Sequence, residues 1–214
     1  MITSGPVREI LDKDFVYKMP ANALQVEGDV HLRGDLRYPD GYWVDIDFPI
    51  IIRTTGANRP VLETLTGNIT VPQWAVDDFA VIEGQEIIHG YKEGSPIQWH
   101  VHMITNGTDA TDRFVKWEIE WTWVNAFGVL ATAITTTSDE LLIPADTPDR
   151  TMLVREIAVV SLPALEIGSH IFARLKRVAS TGTAPAQNPF LTMLQLHVLC
   201  DSIGSVNMTN KPSI

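Results

Sequence analysis

His100 and His102 stand one residue apart, a spacing that suggests chemistry. In an extended chain residues i and i+2 project to one face, so both imidazoles point the same way. Lys116, Glu118 and Glu120 repeat that spacing farther on. If the two segments pair as a simple hairpin, the carboxylates stand about 5 Å from the imidazoles. Three arrangements fit. One is a metal site of two histidines and a glutamate, as in cupin-like sandwiches, which needs a further ligand and an open coordination position. His197 could supply that ligand, making His100, His102 and His197 the candidate metal set. Another is a subunit interface where His100 and His102 of one copy meet Glu118 or Glu120 of a neighbour. The third is a solvated polar face with incidental ion pairs. The usual spaced third histidine of a cupin is missing, so the interface and the wet face are preferred, and no cofactor is expected.

Other chemistries find less support. Nothing resembles a Gly-x-Ser-x-Gly nucleophile elbow, a phosphate loop or a dinucleotide fingerprint. Asp45 with Asp47, and Glu118 with Glu120, are paired acids of the kind a glycosidase uses, but acids alternating along a strand are usually its wet face. Cys200 sits in an apolar run with Leu196, Val198 and Leu199, which reads as a buried, inert thiol. No catalytic residue is expected, and the chain is read as non-enzymatic.

These side chains need strands to position them. Tyr42, Val44, Ile46 and Phe48 share one face of a segment whose other face carries Trp43, Asp45 and Asp47, with Pro49 ending it. In Pro96 to Ile104, Ile97, Trp99, Val101 and Met103 alternate with Gln98, His100 and His102. In Phe114 to Val124, Val115, Trp117, Ile119, Trp121 and Trp123 alternate with polar residues. The turn-forming run from Asn106 to Asp112 between them suggests an antiparallel hairpin with a long loop. Its four tryptophans are read as core, whereas Trp43 and Trp74 could be exposed. Further strands are expected over 129–137, 151–162, 168–178 and 190–200, and a turn at Pro39-Asp40-Gly41. Helical periodicity is confined to two short stretches, 7–14 and 74–79. Seven to nine strands with polar loops point to an all-β sandwich of the jelly-roll kind. The expected organisation is an N-terminal arm over 1–41, the sandwich over 42–205 and a tail over 206–214.

The chain has 214 residues, a formal charge of -10 and one cysteine. One cysteine excludes an internal disulfide framework. The negative charge repels phosphate backbones, and Arg174-Leu175-Lys176-Arg177 spreads its cations over both faces of a strand, so no nucleic-acid partner is expected. The first residues do not read as a signal peptide. No apolar run approaches the roughly 20 residues of a membrane helix, so no membrane partner is expected.

Five segments in order carry a resemblance. They are Trp43 to Pro49, Gly90-Tyr91-Lys92-Glu93-Gly94, Trp99-His100-Val101-His102, Glu118 to Trp123, and Leu196 to Ser205. Together they resemble a family of small jelly-roll virion proteins of tailed phages, over roughly residues 42 to 205. Met103, where the family more often has an aromatic residue, and Cys200 depart from its pattern. The resemblance implies a virion structural protein made in the host cytoplasm, often trimeric, that decorates or cements the capsid against the major capsid protein or forms part of a fibre. It brings no catalytic set. Two rivals remain: a carbohydrate- or receptor-binding fibre module, with exposed tryptophans beside acids, and a cupin-like metal-binding protein.

Overall fold

The computed structural model describes residues 37–52, 57–161 and 164–204. Among them the chain is all β, in twelve strands. These are β1 (Arg37–Phe48), β2 (Ile50–Ile51), β3 (Val61–Thr66), β4 (Ile69–Gln73), β5 (Phe79–Glu86), β6 (Pro96–Ile104), β7 (Arg113–Val124), β8 (Ile134–Thr137), β9 (Leu141–Ile143), β10 (Met152–Ser161), β11 (His170–Val178) and β12 (Phe190–Ser202). They form two antiparallel sheets, one ordered β10-β6-β12-β4-β3 with β1 also on β12, the other β2-β5-β11-β7-β8 with β9 on β7. The expected all-β sandwich is therefore what the chain forms. The expected tail, and the expected arm up to residue 36, lie outside the described residues; residues 37–41 open β1.

Period-two alternation sorts each strand's side chains between core and solvent. Ile46 and Phe48 of β1 are buried while Asp45 and Asp47 are exposed. Trp74, Trp99, Trp117 and Trp121 are fully buried, and Trp123 is half-buried against them. Trp74 meets Trp117 edge-on with ring centroids 5.5 Å apart. Each such pair adds about 0.5–1.5 kcal/mol beyond the area it removes from water.

The expected β6–β7 hairpin does not form. β6 pairs with β10 and β12, and β7 pairs with β11 and β8 in the opposite sheet. The linking segment crosses the sandwich instead of turning back within one sheet. Packing gives the reason. Crossing sets the two tryptophan faces against each other, with Trp99 and Trp121 edge-on at 5.8 Å. A flat hairpin would have left both faces on one side of one sheet. Arg113 anchors the crossover through an ion pair to Asp109 at 2.9 Å.

Smaller expectations shift too. The 74–79 stretch is not a helix: it is a turn closed by Asp78 N–H donating to Ala75 O at 3.1 Å, and Phe79 already opens β5. The 7–14 stretch lies outside the described residues. Of 129–137 only Ile134–Thr137 is strand. Pro39-Asp40-Gly41 lies in an irregularity within β1, where Arg37 faces Ser202 but Tyr42 faces Cys200. Gly41 takes φ +70 there, and a Cβ on it would stand 2.8 Å from Leu199 Cδ1, so only glycine fits.

Candidate functional site

The outer face of the β10-β6-β12-β1 layer holds the densest set of chemically capable side chains. Register decides which residues meet. Asp45 faces His197 and Asp47 faces Gln195 across β1 and β12. Gln195 then faces His100 across β12 and β6, and Glu156 of β10 faces His100 from the other side. Asp47, Gln195, His100 and Glu156 thus form one row across four strands. The neighbouring row carries Asp45, His197 and Gln98.

Hydrogen bonds order the first row. Gln195 Nε2 donates to Asp47 Oδ1 at 2.5 Å, and His100 Nε2 lies 2.7 Å from Gln195 Oε1. A carboxylate only accepts, so Gln195 turns its amide nitrogen toward Asp47 and its oxygen toward His100. His100 therefore carries its proton on Nε2, which leaves the lone pair on Nδ1. That nitrogen is buried and has no hydrogen-bond partner among the described residues; the same is true of His102 Nε2.

His100 is 5% exposed. Burial pulls its pKa below the ordinary histidine value; the Gln195 hydrogen bond opposes this, and His197 and His102 add to it. The His197 ring lies 4.0 Å from that of His100 and the His102 ring 5.2 Å, centroid to centroid. His197 Nε2 pairs with Asp45 Oδ1, and the Trp43 ring lies 6.3 Å from the His197 ring. A half-open cavity of about 150 Å³ is lined by Gln98, His100, Val154, Glu156 and His197.

The structure thus gathers His100, His102 and His197 on one face, and adds Asp45, Asp47 and Gln195. The alternation in β1 placed Asp45 and Asp47 on a wet face, but only the strand order shows that β12 alone separates them from β6, and Gln195 carried no such signal. Glu118 and Glu120 stand elsewhere. Both lie on β7, in the other sheet, where Arg174 of β11 pairs with them at 3.7 Å and 3.2 Å. Within one chain they therefore do not neighbour the histidines as a hairpin would have required. Cys200 is buried. Among the described residues no helix is long and apolar enough to cross a membrane.

No family model matches the chain, and no curated protein matches it. Among solved structures it is similar to a chain from the structure of infectious bursal disease virus Gx strain. The identity is 10% and the TM-score 0.27, over 66% of this chain and 37% of that one. This chain thus spans little more than a third of its counterpart, and a likeness of that degree carries no argument about function.

Proposed function

We propose that this protein is a non-enzymatic virion structural subunit of a tailed phage, a jelly-roll protomer acting as a trimeric capsid decoration or cement protein. The pairing scheme supports the jelly roll. β1 pairs with β12, β5 with β11, β6 with β10, and β7 with β8, four pairs nested one inside the next. Wrapping one long hairpin around itself produces that nesting.

The observation that carries the assembly role is the apolar loop after β7. Phe127 is 103% exposed, Val129 91% and Leu130 56%. Phe127 also holds φ 60, a left-handed conformation that costs a bulky residue energy. The loop base is tied down: Gly128 N–H donates to Asn125 O at 2.9 Å, and Asn125 Nδ2 donates to Ala164 O at 2.9 Å. A firmly held apolar tip suits contact with another subunit, where burying Phe127 contributes about 1.5–3 kcal/mol per copy.

Native mass spectrometry tests the assembly. A trimer is expected, and Phe127→Asp combined with Leu130→Asp reduces it to monomer while the melting temperature of the sandwich holds. A monomeric wild-type chain overturns the reading. Trp43, 48% exposed beside Asp45 and Asp47, favours a glycan- or receptor-binding module as the second reading. Glycan-dependent fluorescence quenching that Trp43→Ala abolishes would establish that module instead.

A further inference from the structure

We propose that Asp45, His100 and His197 form a binding site for one divalent transition-metal ion of the zinc class, joining strands β1, β6 and β12. The site stands apart from the virion reading and does not depend on it.

Geometry is the first support. One ligating atom from each of the three residues lies within 4.8 Å of the other two. Zinc bonds of about 2.0–2.2 Å place tetrahedral ligand atoms roughly 3.4 Å apart, so the approach to His100 needs a contraction of at most about 1.4 Å, while the Asp45–His197 ion pair opens to admit the ion. Asp45 and His197 supply the movement, their side chains being 48% and 34% exposed. His100 is fixed and the other two close on it.

The donor chemistry is the second support. Two imidazoles and a carboxylate suit zinc, cobalt, nickel and copper, and suit calcium and magnesium poorly. His100 Nδ1 is buried and has no hydrogen-bond partner among the described residues. Its other nitrogen donates to Gln195, which Asp47 holds in turn. Metal-ligating histidines are oriented by such outer hydrogen bonds.

The surroundings are the third support. The adjoining cavity is lined by Glu156 and by no lysine or arginine, so the local field favours a cation. Its volume of about 150 Å³ leaves room for water in the remaining coordination position. His102 is not part of the converging set, so Asp45 stands in its place beside the other two histidines that the sequence offered as candidates.

Calorimetric titration of the chelator-treated full chain with zinc(II) tests the site. One ion per chain is expected, with Asp45→Asn and His197→Gln each weakening binding by about tenfold or more. His170→Gln, on the other sheet, leaves the affinity unchanged. Cobalt(II) gives the intense visible bands of a four-coordinate site, and calcium does not compete. Zinc also raises the melting temperature of the wild type, and that increment disappears in both ligand variants. Circular dichroism confirms that the two variants, altered at half-exposed positions, remain folded. No zinc uptake, or uptake that both substitutions leave intact, overturns the proposal.

Discussion

Arg177 carries a positive charge into the core at 1% exposure. Its guanidinium donates to Trp74 O at 2.5 Å and to Asn188 Oδ1 at 2.8 Å. Burial lowers its pKa to about 10, and nearby Asp78 opposes that shift. Fixed acceptors offset the cost of desolvating the charge. Arg177→Ala therefore removes a large buried side chain and orphans two oxygens, and chemical denaturation should show a loss of about 2–5 kcal/mol. His100 gives a pH signature. Its folded pKa is depressed, so the unfolded chain takes up its proton first on acidification. The stabilising contribution is full above about 6.5, the ordinary histidine value, and is lost as pH falls toward the folded value. Gln195 and Asp45 resist that loss, His197 and His102 reinforce it, and Glu156 and Asp47 stand in the same row. Thermal melts across that range should steepen for the wild type and flatten for His100→Gln. The histidine pair was legible from its spacing alone. Asp45 was not, because a wet face read from one strand does not say which strand lies beside it, and Gln195 gave no signal of its own.

At the scale of elements, β6 and β7 show how far pattern reading reaches. Their bounds and buried faces follow from alternation of tryptophan and β-branched residues with polar ones. Their pairing does not, because the same alternation serves a hairpin or a crossover equally well. The tryptophans decide it energetically by meeting across the core. Trp99→Ala should cost about 3–5 kcal/mol, read as a lowered denaturant midpoint at unchanged slope. The 129–137 stretch is strand only over Ile134–Thr137 for a related reason. Val129 and Leu130 are apolar but point into solvent, so composition without alternation misled. Gly90 marks a close approach between elements: an added Cβ would lie 2.5 Å from Ser202 O, a backbone atom that cannot step aside. Gly90→Ala should lower the melting temperature by several degrees, whereas Gly94→Ala, with open space around it, pays only for its φ of +79.

For the whole molecule, class was legible, and which strands lie side by side was not. Many short alternating strands with one cysteine specify a sandwich, while the nested pairing depends on contacts between residues far apart in sequence. A net charge of -10 makes association sensitive to screening. If the trimer forms, sedimentation should show it strengthening from low to moderate salt as like-charged subunits repel less. The position of β12 also bears on how the protein comes into being. It is the last of the described strands to leave the ribosome, yet it alone links β1 and the β3–β4 pair to β6. Until translation passes Ser202, one sheet exists only as separate fragments with bare edges. A nascent chain stalled ahead of Phe190 should remain open to proteases, and quality control would meet it before any partner could.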